Sequence, residues 1–176
     1  MVKTAEIAIA DAHPSQAVEL VDIYRRAWRL AYSGIIPSGD LERLIDSRDA
    51  KSWRRMVSAE NVLTLSIGDA LAGYATHGLA RHPRHRSQTA VDALQRAEIY
   101  ELYLSPEFQG VGLGEYLFEG CRVRFDERGL RGPDIWVLSH NQVARRFYHA
   151  RGGRVTARAM HPIGRTKLEK VRYSWD

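Results

Sequence analysis

Cysteine is nearly absent from this sequence: Cys121 is the one cysteine among 176 residues. A single cysteine excludes an intramolecular disulfide and any metal site built from several thiolates. Cys121 falls in the middle of a predicted helix, on or near its apolar side, where cysteine more often acts as a small buried hydrophobe than as a reactive thiol. This cysteine usage suits a reducing compartment, and we expect a cytoplasmic protein.

Long apolar runs are also lacking. No segment approaches the roughly 18 apolar residues that a membrane-spanning helix requires. The first residues, MVKTAEIAIADAHP, alternate in polarity and contain no apolar core of a secretory signal. We therefore expect neither export nor a membrane anchor. A hydrophobic content of 44% and a charged content of 27% are typical of a globular protein, and the length predicts one domain over residues 1–176.

Several well-known site motifs are missing. The sequence has no G-K-[ST] of a P-loop, no HExxH, no CxxC and no GxSxG. None of its seven histidines is paired at metal-ligand spacing on a clear helix face, so we predict no metal site. The glycines at 110, 112 and 114 form GxGxG, whereas dinucleotide-binding folds use GxGxxG.

The charge balance is basic, with a formal net charge of +5. An excess of this size favours anionic ligands but identifies none. Part of it lies in the run RHPRHR at 81–86, which is short, contains a proline and has no aromatic residue. These features favour a solvated loop over a phosphate or nucleic-acid contact, and we predict no nucleic-acid partner.

Hydrophobic periodicity and turn residues predict twelve elements in the order β-α-α-α-β-β-β-α-β-α-β-β, with a helical turn at 91–96 in the irregular stretch after residue 81. This order indicates a mixed α/β protein in which helices flank one sheet. The predicted strands are 5–10, 61–67, 71–79, 99–104, 135–138, 155–160 and 168–175. The predicted helices are 18–31, 38–46, 49–58, 113–128 and 142–151.

The most informative segment is EIYELYLSPEFQGVGLG at 98–114. A predicted strand ends in a proline turn and enters a glycine-rich corner at 109–114, which opens an amphipathic helix. Free backbone N–H groups at the positive end of a helix bind phosphate groups. The glycines leave these amides unobstructed by side chains, and the preceding strand holds them rigidly. A tight turn without a ligand is the alternative interpretation.

A second motif follows about 30 residues later, in DIWVLSHNQVARRFYHARGG at 134–153. Asn141 begins a helix, and Tyr148 lies two turns further on the same face. Either residue alone has a simple structural explanation, as a helix cap and as a half-buried aromatic residue. Their occurrence together, after the glycine corner, favours a joint role in a site.

These motifs resemble those of the GNAT N-acetyltransferase superfamily. The corner has the Q-x-x-G-x-G spacing of the acyl-CoA signature, and 141–152 reads N-x-x-A-R-x-F-Y-x-x-x-G. The segment WRLAYSGIIP at 28–37 is also similar to the first helix and loop of many bacterial members. The sequence departs from the family at Gln109, where arginine is also common, and at Gly153, where phenylalanine is frequent.

The resemblance implies a fold and a cosubstrate. The fold is α/β, with a central mixed, mostly antiparallel sheet whose middle strands splay apart, flanked by helices. The cosubstrate is acetyl-CoA, which acts as the acyl donor without a metal, and its pantetheine arm pairs with the fourth strand. The residues expected to contact it are Leu102, Tyr103, Leu104, Gln109, Gly110, Val111, Gly112, Leu113, Gly114 and Asn141.

The resemblance also implies catalytic residues. An acceptor amine must lose a proton before it attacks the thioester, and a carboxylate, acting directly or through a water molecule, is the expected base. Glu98 and Glu101 are equally good candidates. Their odd spacing places them on opposite faces of a regular strand, so both can serve only if a bulge intervenes. Tyr148, whose usual pKa is about 10, is the expected acid for the departing CoA thiolate.

The acceptor is expected to be a primary amine of a small molecule or a peptide. Trp28 and Tyr32 are candidates for walls of its pocket. An alternative to the enzyme is a non-catalytic domain on the same fold that binds or senses acyl-CoA. A homodimer through the terminal strands is an expectation from the family alone.

Overall fold

The computed structural model describes residues 6–59, 61–81 and 96–175. The described elements follow the predicted order. The predicted helical turn falls outside the described residues except for Arg96, and only Arg81 of the basic run is described. The strands are β1 (Ile7–Asp11), β2 (Val62–Ile67), β3 (Ala70–Leu79), β4 (Arg96–Leu104), β5 (Arg131–Leu138), β6 (Arg154–Ile163) and β7 (Thr166–Ser174). The helices are α1 (Ala17–Tyr32), α2 (Ser38–Asp46), α3 (Ala50–Ser58), α4 (Leu113–Glu127) and α5 (Gln142–Ala150).

The strands form one sheet in the order β1-β2-β3-β4-β5-β7-β6. Neighbouring strands are antiparallel, except that β4 and β5 run parallel. Within these two fully described strands, register pairs occur only at Arg96↔Arg131 and Glu98↔Asp134. Beyond Glu98 the two strands diverge, which leaves the β5-facing edge of β4 open. The expected mixed, mostly antiparallel sheet flanked by helices is confirmed.

Helices cover both faces of the sheet. The amphipathic helices α4 and α5 bury Leu117, Phe118 and Tyr148 in one core, together with residues of β2 to β5 and β7. On the opposite face, α1 and α3 pack in a second core that contains Trp53 and Tyr74. The sheet therefore separates two apolar layers, and any group at the opening between β4 and β5 has access to both.

The short helix α2 is fixed against the last hairpin. Its Leu41 and Ile45 pack with Leu138 of β5 in a third apolar cluster. Asp40, which is buried, bonds the Arg43 side chain and accepts a hydrogen bond from the backbone N–H of Arg165 (3.4 Å) in the β6–β7 turn. This contact holds α2 over the sheet face near Leu138.

β4 contains a β-bulge. The successive residues Thr76 and His77 of β3 pair with Glu101 and Ile99 of β4, so Tyr100 has no partner position on β3. Ile99 and Leu102 consequently pack on the same side of the sheet, in the core under α4. The bulge turns the strand by one residue and reverses the face on which the following side chains lie.

β5 begins earlier than predicted. The sequence interpretation ended the preceding loop after Gly132-Pro133 and placed the strand at 135–138, whereas the strand begins at Arg131. Proline has no backbone N–H to donate to a neighbouring strand. The Pro133 carbonyl, however, still accepts a hydrogen bond from the backbone N–H of Trp175 (3.2 Å). Proline is tolerated there because the parallel pairing with β4 uses only two register positions.

His77 and Cys121 are fully buried. His77 packs edge-on against Phe125, with 5.6 Å between ring centroids, and neither ring nitrogen has a hydrogen-bond partner among the described residues. Burial lowers the pKa of His77 to about 4, so its ring is neutral. Burial also raises the pKa of the Cys121 thiol to about 12. Of the helices described, none is long and apolar enough to cross a membrane.

Candidate active site

The glycine corner opens onto a cleft. Gly110 and Gly112 have φ values of 79° and 87°, in the left-handed region that side chains rarely adopt. A Cβ atom at either position would meet nothing within 4 Å, so the backbone here is accessible from one side. α4 starts at the next residue, and no side chain of the described residues caps its first amides. These N–H groups are therefore available to an anion.

Gln109 and Gly114 shape the corner. The Gln109 side chain donates from Nε2 to the carbonyl of Leu104 (2.8 Å), which ties the corner to the end of β4. At Gly114, a Cβ atom would lie 3.1 Å from the ring of Phe147. Glycine at this position thus permits α4 and α5 to approach each other at one end of the cleft.

The cleft has a volume of about 570 Å³ and runs from the glycine corner along the open edge of β4 to α5. Most of the residues predicted to bind the cofactor line it. These are Leu102, Tyr103, Leu104, Gln109, Gly110, Gly112, Gly114 and Asn141, joined by the predicted acid Tyr148. Val111 and Leu113 do not line it, because Val111 points to solvent and Leu113 is buried in the core. These two residues can contribute only backbone groups.

Two walls of the cleft, one on α1 and one on α5, were not predicted from the sequence. α1 contributes Ala27, Leu30 and Ala31, and α5 contributes Val143, Ala144 and Phe147, followed by Arg151 directly after its last residue. The spacing of 143, 147 and 151 places these side chains on one helical face, which is a signal that the sequence offers. The Arg151 guanidinium stacks on Phe147 at 3.7 Å and forms a salt bridge with Glu115 (3.3 Å). It adds a positive charge near the corner.

Tyr148 lines the cleft. The side chain is 5% exposed, and its hydroxyl forms no hydrogen bond within the described part of the chain. Burial raises the pKa of the phenol well above its usual value. The hydroxyl is therefore protonated at neutral pH and has its donor proton free for a bound group.

Asn141 is occupied by a structural role. Its Oδ1 caps α5 by accepting a hydrogen bond from the backbone N–H of Ala144 (3.1 Å). Asn141 also lines the cleft and is buried. Capping uses the carbonyl of the side chain, and its amide group interacts with the Tyr32 hydroxyl.

Trp28 and Tyr32 lie behind the cleft. The Tyr32 hydroxyl is 2.6 Å from the Tyr103 hydroxyl, and the Trp28 ring packs edge-on against Tyr32 with 4.9 Å between centroids. Neither residue lines the cleft itself, and Trp28 also packs on the core under α1. Both lie on the sheet face toward which Tyr103 points.

Glu101 forms an ion pair with Arg48. Arg48 Nη1 lies 2.9 and 2.7 Å from the two carboxylate oxygens, and the Tyr74 hydroxyl donates a third hydrogen bond at 3.3 Å. The Arg48 guanidinium also stacks 4.6 Å above the ring of Tyr24. Both oxygens of Glu101 are therefore engaged by groups of the protein.

Glu98 has a different environment. It is 5% exposed and accepts a hydrogen bond from the backbone N–H of Arg81 (2.8 Å). Burial raises the pKa of its carboxyl, although this hydrogen bond and the charge of Arg81 partly oppose the shift. Because of the bulge at Tyr100, Glu98 and Glu101 both lie opposite the core residues Ile99 and Leu102, on the same face of the sheet.

A family model described as the acetyltransferase (GNAT) family matches residues 18–152. The chain belongs to this family. The predicted family membership is thereby confirmed, and the enzyme class is that of an acyltransferase. The match spans α1 to α5 and so includes the glycine corner, the open edge of β4 and Tyr148.

Solved structures share the GNAT fold at low sequence identity. The PaiA N-acetyltransferase of Thermoplasma acidophilum, in complex with coenzyme A, has a TM-score of 0.74 and 18% identity over 97% of this chain and 99% of its own. The YncA structure of Salmonella typhimurium, which holds its cofactor acetyl-CoA, has a TM-score of 0.65 and 21% identity over 96% and 92%. An uncharacterised N-acetyltransferase of Archaeoglobus fulgidus is 43% identical over 51 residues. That match spans 29% of this chain and 35% of the relative.

One departure of this GNAT chain from the family pattern has a structural reason. A Cβ atom at Gly153 would lie 2.6 Å from the ring of Trp175. Trp175 packs against Phe118 and Tyr148 and donates from Nε1 to the carbonyl of Arg151 (2.7 Å). The indole thus lies where a larger residue at Gly153 would need to be, next to the Tyr148 ring.

Proposed function

We propose that this GNAT acyltransferase transfers an acetyl group from acetyl-CoA directly to the primary amine of a small molecule or a peptide. The observation that carries the proposal is one continuous cleft. It joins the uncapped amides of the glycine corner to Tyr148, past the open edge of β4. When bound, acetyl-CoA supplies an activated thioester.

The described residues fit this cosubstrate. The amides of Gly110, Gly112 and Gly114 would hold the pyrophosphate at the positive end of α4. The backbone of Leu102–Leu104 has its β5-facing edge free and would pair with the amides of the pantetheine arm, as an added strand does. A backbone N–H of the same segment would polarise the thioester carbonyl.

Glu98 is the base in this proposal. Burial raises the pKa of the Glu98 carboxyl above its usual value, which makes it a stronger base than an ordinary carboxylate. Glu101 instead holds Arg48 and Tyr74, and its oxygens would have to leave those partners before they could accept a proton. We assign Glu101 a positioning role on the same face.

Tyr148 is the acid. Its proton is retained at neutral pH, and no described residue competes for it. As the carbon–sulfur bond breaks, the thiolate would take this proton, and the hydroxyl would be restored from solvent.

The first test is a thermal-shift titration with acetyl-CoA, free CoA and NAD. We expect acetyl-CoA and CoA to raise the melting temperature and NAD to have no effect. An amine panel with detection of free thiol then tests turnover. If no acyl-CoA stabilises the protein at millimolar concentration, the assignment of the cleft fails. If acyl-CoA binds but no amine in a broad panel is acetylated, the chain is a binding or sensor domain and the proposed reaction is wrong.

A further inference from the structure

The sheet face that bears Glu98 continues across β5 and β7. Glu98 pairs with Asp134, and Trp136 lies two residues further along β5 on the same face. Trp136 pairs with Arg172 of β7, and Lys170 lies two residues along β7 on this face. The alternate residues of β5 and β7 point into the core under α4 and α5. These side chains lie on one face of the sheet, on the β5 side of the opening between β4 and β5.

Lys170 stands out among these charges. Its Nζ lies 4.5 Å above the centre of the Trp136 ring, and the side chain is half-buried. In the part of the chain that the structure describes, this ammonium forms no salt bridge and no hydrogen bond. Arg172, by contrast, is 3.8 Å from an oxygen of Asp134 and donates from Nε to Thr156 (3.0 Å). Lys170 therefore holds a positive charge over an aromatic ring, and among the described residues it has the charge of Glu98 nearby but no salt bridge and no hydrogen bond.

The surroundings of Lys170 reinforce this conclusion. Desolvation lowers the pKa of Lys170, opposed by the charge of Glu98 and assisted by that of Arg81. The Arg81 guanidinium stacks on Tyr100 at 3.3 Å, next to Glu98. Glu98 is thus near enough to interact electrostatically with two cations. A desolvated ammonium in such a place binds an anionic group of a ligand more strongly than an exposed one does.

We propose that Lys170 binds a carboxylate of the acceptor, so that the acceptor is an amino acid, with its amine at Glu98 and its carboxylate over Trp136. This inference rests on the proposed function and deepens it. An amine without a carboxylate would leave Lys170 without a salt bridge or hydrogen bond among the described residues, and a polyamine would place a second positive charge against it. The cationic surroundings select against both classes.

The test compares matched acceptor pairs, each an amino acid and its decarboxylated amine, over α-, β- and γ-amino acids. The readout is kcat/KM for release of free CoA thiol. We expect the amino acid of at least one pair to be preferred by about tenfold or more, through KM rather than kcat, because an opposed charge pair contributes mainly to binding. Equal values within every pair would overturn the proposal.

Variants then assign the preference to Lys170. K170M removes the charge but keeps the length of the chain, and we expect it to abolish most of the preference. K170R keeps the charge and is expected to retain the preference, which separates charge from packing on Trp136. K167M, on an exposed lysine of the same strand, is the control and leaves the preference intact. If a folded K170M protein keeps the preference, another group binds the carboxylate.

A readout without turnover distinguishes this proposal from the proposed function. In the presence of CoA, an N-acetyl amino acid should stabilise the wild-type protein more than the corresponding N-acetyl amine, and K170M should remove the difference. If CoA binds and no amine is acetylated, but this difference is seen, then the proposed reaction fails while the carboxylate site stands. If amines are acetylated and no difference is seen in either assay, only the carboxylate site is wrong.

Discussion

Glu98 and Glu101 lie on the same face of β4, although they are three residues apart, because Tyr100 forms a bulge between them. Their environments nevertheless differ. Glu98 is bonded by a backbone N–H and is destabilised as an anion by burial, whereas Glu101 is paired with Arg48. One strand therefore supplies a carboxylate suited to accept a proton and a carboxylate suited to hold a neighbouring segment in place.

Substituting Glu98 should lower the activity without lowering the stability. Since the folded-state pKa of Glu98 is raised, the folded protein binds this proton more tightly than the unfolded chain, and ionisation at pH 7 costs folding free energy. E98Q removes that cost and can still accept the Arg81 N–H. We expect a melting temperature that is equal or higher, with kcat/KM reduced by about 100-fold or more. Retention of full activity in E98Q would show that another group is the base.

Substituting Glu101 should have the opposite effect on stability. E101Q leaves Arg48 without its anion in a pair whose side chains are 26% and 12% exposed. We expect a loss of about 2 kcal/mol in the free energy of unfolding, less than for a fully buried pair. Urea unfolding measures it, and the double variant with R48M should recover part of the loss. If E101Q is as stable as wild type, the ion pair contributes nothing measurable.

Removing the Tyr148 hydroxyl should affect chemistry alone. The hydroxyl makes no hydrogen bond among the described residues, so Y148F has no structural partner to lose there. We expect an unchanged melting temperature and unchanged acetyl-CoA affinity, with kcat lower by about 100-fold or more. Y116F, at an exposed tyrosine of α4, is the control. Full activity of Y148F would exclude the phenol as the acid.

Two glycines allow backbone strain to be separated from ligand binding. Gly112 and Gly129 both have positive φ (87° and 63°) and both have open space where a Cβ atom would be. G112A and G129A should each cost about 1–2 kcal/mol of stability. Only G112A should weaken binding of acetyl-CoA, because only Gly112 lines the cleft. Equal affinities in the two variants, measured by calorimetry, would argue against phosphate binding at the corner.

His77 predicts a pH dependence of stability. Its pKa is about 4 in the folded protein and about 6.5 in the unfolded chain, so the unfolded state takes up a proton first as the pH falls. The free energy of unfolding is therefore unaffected by protonation of His77 above about pH 6.5. It declines as the pH falls toward 4, and this residue lowers it by about 3 kcal/mol in total. Urea unfolding between pH 7.5 and 4.5 should show a shallower decline for H77L than for wild type. Parallel curves would show that His77 is not the responsible group.

The sequence was sufficient for the order of elements and for most of the cleft. Periodicity and turn residues predict each element, and the glycine corner and Tyr148 are local motifs. The shared face of Glu98 and Glu101 was not predictable, because it depends on the register between β3 and β4. The partner of Glu101 was not predictable either, because Arg48 lies 53 residues away in a loop with no motif. Val111 and Leu113 were named from the motif, but motif position does not determine side-chain direction.

The burial of Cys121 has a practical benefit for measuring this reaction. The proposed product is a thiol, and aromatic disulfide reagents detect thiols by their absorbance. Because Cys121 is fully buried and its thiol is protonated at neutral pH, the folded protein should contribute no signal of its own. Unfolding should release one equivalent per chain, so the same reagent that counts turnovers also reports the fraction of enzyme that has lost its fold.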